Sequence, residues 1–571
     1  METFSKKIFF TVVMMVIVQG LPMWAQSDIP EPDDSVTVSQ EAWKNVGKVV
    51  AGWGNIDTRY LRSEVAEGLT KSIELHAWKG ERVAAQAVIS TPADISKLTF
   101  SVSDLKCGKN VISAGNIRKY FVRYVIADTP DDMKAAQLMP DLLSTDSEMA
   151  VKEKTTRPLW LDIHVPASTV PGKYKGFLLI NLDGKTNKLP LVVDVVDHTL
   201  PEPAEWAFHL DLWQNPYAVA RYFDVPLWSD QHFERMRPLM ERLAASGQKV
   251  ITCSIIQHPW NGQTYDPFES MIAKMKMLDG SWKYDYTVFD KWVDFMMSCG
   301  ITEQIDCYTI VPWHNKFEYY DCATNMTKTL SCRPGEQAYH DFLQPFLKDF
   351  ASHLKGKGWF DKTCIAMDER PIDQLEKAWK VVKEADEGYR FAGAANFNVD
   401  PGSIGDRMYD LSVGYRFKIH QGEPLKRRLD NGQKLTFYTC CGPDRPNTFV
   451  FSKPAESTYM GWHAASINYS GYLRWAYCSF PQQPVTETRF GTWHAGDPFL
   501  TYPAGSSIRL ERLTEGIQDY EKIRILRQTV SKEKMAEFDK VLEKFSKNSM
   551  GKNFDIDALV HEGKAALRAL E

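Results

Sequence analysis

The strongest constraint on this chain is a grammar. Between residues 208 and 477 a short apolar strand is followed by a helix-forming segment, over and over. Eight strand candidates can be read, at residues 208–213, 249–256, 305–311, 363–367, 391–395, 408–415, 434–439 and 472–477. The first helix shows its apolar face in Phe233, Met236, Met240 and Leu243 and stops at Gly247. The second runs near residues 289–297 and stops at Gly300. Strands alternating with helices predict a parallel sheet, and eight such units predict a closed (β/α)8 barrel of the TIM type.

The flanks follow other rules. Residues 41–203 have period two: Ile73, Leu75 and Ala77 alternate with polar neighbours, as do Leu159, Leu161, Ile163 and Val165. Residues 174–182 and 189–196 read as a hairpin with a longer loop around Asp183-Gly184, and the whole stretch predicts a β-sandwich. Leu200-Pro201-Glu202-Pro203 marks a linker into a barrel spanning 204–505. Ile517, Tyr520 and Ile523, then Met535, Phe538, Val541 and Leu542, predict C-terminal helices over 506–571 that buttress it. Residues 26–40 form a polar, proline-bearing leader with nothing to bury.

At the N-terminus, Lys6 and Lys7 precede an apolar run at residues 8–18. That run is too short to span a bilayer and suits a signal peptide, with cleavage expected after Ala25. The expectation is export to the periplasm or beyond, with no membrane span. With 68 Lys and Arg against 73 Asp and Glu, the chain has no basic field, so nucleic acid is not an expected partner. The ten cysteines show no zinc spacing. Cys253, Cys364 and Cys478 sit in apolar runs and read as buried thiols. Cys322 and Cys332 flank a polar loop and form one candidate disulfide, whereas adjacent Cys440 and Cys441 would be strained as a pair. Seventeen Trp and 23 Tyr are expected to lie mostly in the core, with some flat rings free to stack against a sugar face.

In a (β/α)8 barrel, functional groups gather at the C-terminal ends of the strands. Reading those ends in order gives Asp211 and Trp213, Gln257, His258 and Trp260, Trp313, His314 and Asn315, then Asp368-Glu369, Asn396, Tyr415, Tyr438 and Trp475. Aromatic, His and Asn side chains with few cations suit a neutral, polyhydroxylated ligand. No phosphate loop, dinucleotide motif or metal cage is present, so no cofactor or metal is expected. Asp368-Glu369 is the sharpest signal: an apolar strand delivers two carboxylates to the mouth of the barrel just before Pro371, a residue suited to the first position of a helix. Like charges there are expected to hold one carboxyl protonated, as a general acid requires.

Glycosidases that use two carboxylates need the second one across the sugar. Strand seven, Leu435-Thr436-Phe437-Tyr438-Thr439, offers none before Asp444. This favours a nucleophile supplied by the substrate, the carbonyl of a 2-acetamido group. Asp368 would then orient the acetamido N–H and Glu369 would protonate the leaving oxygen. Tyr438 would bond the acetamido carbonyl, and Trp475 would wall its methyl group. Two other readings stay open: a two-carboxylate glycosidase for another sugar, and a secreted glycan-binding protein without catalysis.

Several motifs carry a resemblance. Trp160-Leu161-Asp162-Ile163, Pro171-Gly172-Lys173-Tyr174, Met367-Asp368-Glu369-Arg370-Pro371 and Gly471-Tyr472-Leu473-Arg474-Trp475-Ala476 are similar to those of glycoside hydrolase family 123. Gly461-Trp462 and Glu515-Gly516-Ile517-Gln518-Asp519-Tyr520 resemble the C-terminal domain of such proteins. The resemblance implies a β-sandwich before a (β/α)8 barrel. It also implies release of terminal β-linked N-acetylgalactosamine from glycans or glycolipids, with retention and acetamido participation. The family's adjacent Asp-Glu pair falls on Asp368 and Glu369.

Overall fold

The computed structural model describes residues 31–32, 40–419, 422–503, 505–546, 550–551 and 553–571. The expected signal peptide lies outside these residues. Of the polar leader, Glu31 is described, and it is not idle. Its carboxylate accepts two hydrogen bonds at 2.6 Å from the buried Arg157 guanidinium and a third from the Tyr124 backbone N–H at 3.0 Å. Burial would raise its pKa, but the Arg157 charge and these bonds hold it below the usual carboxylate range. The expectation that the leader has nothing to bury is corrected at this residue.

The N-terminal part is a sandwich of two sheets. One runs in the order Val50–Gly54, Arg82–Thr91, Thr155–His164, Ile117–Thr129, Asp132–Ser144. The other runs Ile73–Lys79, Lys185–Thr199, Gly172–Leu182, Ile95–Val102, Met149–Val151. Leu159, Leu161 and Ile163 point between the sheets and pack with Leu178, Ile180, Leu191 and Val193. Trp160, between them in sequence, points the other way yet is equally buried, against Tyr120, Val122 and Ile508. The first sheet is therefore covered on both faces. Leu182 pairs with Lys185, so Asp183-Gly184 is a two-residue turn rather than the longer loop expected. Both turn residues have positive φ, 48° and 88°, the conformation whose twist matches paired strands.

The barrel strands are His209–Leu212 (β1), Val250–Ser254 (β2), Gln304–Tyr308 (β3), Thr363–Met367 (β4), Arg390–Ala395 (β5), Asp410–Gly414 (β6), Lys434–Tyr438 (β7) and Gly471–Arg474 (β8). All eight sequence candidates are present. They run parallel in the order β1-β8-β7-β6-β5-β4-β3-β2. The ring closes between β1 and β2 through a bridge from Leu210 to Gln248. Alternation sorts the side chains. Cys364, Ala366, Ala392, Ala394 and Tyr438 share one cluster inside the barrel, whereas Ile365, Met367, Phe391, Leu411 and Val413 join the larger core under the helices.

Four short strands inserted after β2 and β3 form a separate sheet: Ala273–Lys276, Trp282–Asp285, Lys316–Asp321 and Met326–Ser331. The last two pair with Lys316 opposite Ser331 and Asp321 opposite Met326. Cys322 therefore sits at the turn and Cys332 at the open end, the length of a hairpin apart (roughly 17 Å at about 3.4 Å per residue). Both thiols are free, which corrects the disulfide expected there.

The helix Ile508–Thr529 is more than a buttress. Arg512 Nη2 lies 2.7 Å from Asp57 Oδ1 and Lys522 Nζ lies 2.6 Å from Glu81, tying it to the sandwich. On its other side it crosses the helix Pro454–Ser466 at a glycine contact. A Cβ on Gly516 would fall 2.2 Å from the Thr458 carbonyl oxygen, and one on Gly461 would fall 2.0 Å from that of Gly516. Only two glycines let these backbones approach so closely, which explains both glycine motifs in the C-terminal sequence. Among the described residues no helix is long and apolar enough to cross a membrane.

Candidate active site

β4 is wholly buried, and its inward parity, Cys364 then Ala366, continues to Asp368 at the mouth of the barrel. Asp368 is only 9% exposed, and its Oδ2 accepts a hydrogen bond from the Trp313 indole N–H at 3.0 Å. The Arg370 guanidinium lies 5.0 Å from the centre of the same indole ring. The helix Ile372–Ala385 starts one residue beyond Pro371, which serves as its N-cap. Glu369 points toward β5 and β7. One of its oxygens accepts from Asn396 Nδ2 at 3.1 Å and the other from the Tyr438 hydroxyl.

Burial pushes Asp368 up to about 6, with the Glu369 charge adding to the rise and the hydrogen bonds opposing it. The like-charge effect expected from the sequence is present, but desolvation is the larger cause, and the group raised is Asp368, whereas the sequence reading gave the proton to Glu369. Burial and the Glu369 charge also raise the Tyr438 phenol, so Tyr438 stands beside Glu369 as a neutral donor.

These groups open onto one cavity of about 140 Å³. Trp213, Trp260, Trp313, Trp475 and Trp493 all line it, with Tyr438 and Leu473 between them. Trp213 forms part of the floor: its ring packs 5.0 Å from Trp260 and 4.4 Å from Tyr308, and its N–H donates to Asp211 at 3.1 Å. Trp475 meets Trp493 edge to face at 5.8 Å and donates its N–H to Asp497 Oδ1 at 2.8 Å. Asp497 Oδ1 also lies 2.9 Å from Arg474 Nη2, so this third carboxylate of the cavity is held by two donors. Arg474 extends the lattice to Thr439 Oγ1 at 3.0 Å and Asn447 at 2.9 Å. Among the described residues no group of three His, Cys, Asp or Glu side chains is placed to hold a metal ion.

Of the residues singled out in the sequence, the cavity gathers Asp368, Glu369, Tyr438, Trp213, Trp313 and Trp475, and Asn396 reaches Glu369 from beside it. Others lie elsewhere. Tyr415 follows Ser412 and Gly414 with the opposite parity, so it points out of the barrel. Its ring packs 4.7 Å from His463 and its hydroxyl meets that of Tyr459 at 3.2 Å. His258 and His314 line a neighbouring groove of about 580 Å³ under the inserted sheet. Tyr438, expected to reach an acetamido carbonyl, donates to Glu369. Trp260, read at a strand end, lines the cavity too; Gln263, Trp493, Asp497 and the Cys440-Cys441 pair line it without having been singled out for it from the sequence. Trp493 and Asp497 lie in a long return segment with no periodicity to read.

The comparisons fit this geometry. Residues 213–526 match the catalytic-domain model of glycoside hydrolase 123, and residues 53–182 match the model of its N-terminal domain. A family 123 glycoside hydrolase from Clostridium perfringens, described for the hydrolysis of glycolipid glycans, superposes with a TM-score of 0.84 at 26% identity, covering 92% of this chain and 98% of that one. A family 20 exo-β-N-acetylglucosaminidase from Vibrio harveyi aligns over 87% of this chain and 98% of its own, but at 9% identity and a TM-score of 0.28, too low to carry an argument. No curated protein sequence matches significantly. With both family domains matched in order, on a sandwich and a barrel whose fourth strand ends in paired acids, the chain belongs to glycoside hydrolase family 123.

Proposed function

We propose that this glycoside hydrolase releases terminal β-linked N-acetylgalactosamine from glycans or glycolipids, with retention and with the substrate's acetamido group as nucleophile. The observation that carries the reading is the division between Asp368 and Glu369. Asp368 is buried among indoles, with its pKa pushed up to about 6; above that pH it is an anion in a mostly apolar wall, ready to accept an acetamido N–H. Glu369 sits among donors, Tyr438 and Asn396, at the edge of the same cavity. Asp497, the other acid there, gives its Oδ1 to Arg474 and Trp475, while its buried Oδ2 accepts no hydrogen bond from the described residues.

The chemistry follows from those positions. The acetamido carbonyl oxygen attacks the anomeric carbon as the glycosidic C–O bond breaks. Glu369 gives its proton to the departing oxygen, and Asp368 stabilises the positive charge that grows on the acetamido nitrogen. Water then attacks the anomeric carbon from the leaving-group side, Glu369 takes its proton, and the ring of the intermediate opens. Two displacements give retention. Trp475, fixed by Asp497, provides a rigid wall for the acetamido methyl group.

The test is a panel of aryl β-glycosides. Turnover of the N-acetylgalactosaminide, with the gluco epimer much slower, supports the reading. Turnover confined to sugars lacking a 2-acetamido group favours two-carboxylate chemistry. Export is part of the same proposal: protein recovered from its native host should begin near Gln26, and a retained Met1 would contradict it.

A further inference from the structure

The ten cysteines are all free thiols, and one pair stands apart from the rest. Cys441 is exposed; Cys253, Cys299, Cys307, Cys332, Cys364 and Cys478 are buried, and Cys107 and Cys322 are half-buried. Cys440 lies next to Cys441 with its Sγ 3.7 Å away, and both line the same cavity as Asp368 and Glu369. The pair follows Tyr438, the hydrogen-bond partner of Glu369, by two and three residues.

The backbone there is held firmly. The Cys440 N–H donates to the Gly442 carbonyl at 3.2 Å, and the Cys440 carbonyl accepts from Asn447 Nδ2 at 2.8 Å. A group attached to Cys441 would stand at the rim of the cavity. Cys440 and Cys441 share an S–H···S hydrogen bond, which draws the Cys441 thiol below its ordinary range while Cys440 is pushed up. Burial raises the thiols of Cys299, Cys307, Cys332, Cys364 and Cys478, so these are poor competitors for an electrophile.

We propose that Cys440-Cys441 is a thiol-modification site at the rim of the sugar cavity beside Glu369, taking low-molecular-weight disulfides by thiol–disulfide exchange. The Cys441 thiolate attacks one sulfur of RS–SR, the S–S bond breaks, and Cys441 is left bonded to SR. The released RS⁻ takes up the proton that the Cys441 thiol gave up, so no further oxidant is consumed. The attached group stands where an aglycone must leave and blocks the cavity; free thiol reverses the exchange. This rests on the hydrolase activity of the family and not on which sugar is cleaved.

The experiment treats the full chain with glutathione disulfide and follows two signals. One is intact mass with peptide mapping; the other is the rate on whichever aryl glycoside the enzyme turns over. One glutathionyl group at Cys441, a loss of rate of tenfold or more and recovery in dithiothreitol are expected. Cys441→Ser, compared with its own untreated rate, should be insensitive, and Cys440→Ala should label several-fold more slowly. Cys441 that resists labelling, labelled enzyme with an unchanged rate, or Cys441→Ser inactivated as fast as the parent would overturn the proposal.

Discussion

Trp313 donates its indole N–H to Asp368 Oδ2 at 3.0 Å while Arg370 lies over the same ring, so one aromatic side chain links the buried acid to a cation at the barrel mouth. That hydrogen bond opposes the rise that burial imposes on Asp368. If catalysis needs Asp368 ionised, kcat/KM should fall on the acid side with an apparent pKa near 6. Trp313→Phe keeps a ring but removes the donor, and should move that limb to higher pH. An unmoved limb would show that the bond does not tune the acid.

Asp368 also bears on stability. Its folded-state pKa of about 6 exceeds the ordinary carboxylate value of 3.8, so the folded protein holds this proton more tightly than the unfolded chain does. Stability is therefore lost as pH rises from about 4 to 6, and the loss persists above 6. At about 1.4 kcal/mol per unit, the cost approaches about 3 kcal/mol. Asp368→Asn should be more stable than the parent in denaturant melts at pH 7.5 and close to it at pH 4. The opposite order would mean that the carboxylate is better solvated than its burial implies.

Removing the proposed proton donor should show in the leaving group. Glu369→Ala should slow poor leaving groups by about 10²–10⁴-fold and activated aryl groups far less, because an activated phenolate departs without a proton. Asp368→Ala should be slow with both, since attack itself is misaligned. Rates measured across a series of aryl leaving groups separate these profiles; equal slopes would contradict the division of roles.

The contact between Gly461 and Gly516 makes a prediction far from the site. Gly516→Ala places a methyl group 2.2 Å from the Thr458 carbonyl oxygen, which belongs to backbone and cannot swing aside. A loss of more than about 3 kcal/mol, or no soluble protein, is expected, because the helix joining barrel and sandwich must shift. A fully stable variant would mean that the helices have room to separate.

What the sequence revealed follows from how each feature is encoded. The barrel strands were legible because each is a short apolar run buried on both faces and bounded by helix signals, as β4 shows. Asp368 and Glu369 were legible because one strand end positions both. Tyr415 was misplaced because strand-end logic ignores parity: one residue past Gly414, the side chain turns outward to His463. Trp493 and Asp497 were missed because the return loop that carries them has no period, and its course is set by partners such as Arg474 and Trp475. Gly461 and Gly516 were visible as motifs, but their meaning, a backbone crossing, appears only in three dimensions.

The central claim, a nucleophile supplied by the substrate, is tested most directly by fluorinating the acetamido methyl group of an aryl β-N-acetylgalactosaminide. Each fluorine withdraws electrons from the carbonyl oxygen and barely changes its size, so an attacking oxygen is weakened in steps. The account predicts that kcat/KM falls steeply from the acetyl to the monofluoro-, difluoro- and trifluoroacetyl substrates, by orders of magnitude over the series. A kcat/KM that stays level across the four substrates would contradict it and assign the attack to a carboxylate of the protein.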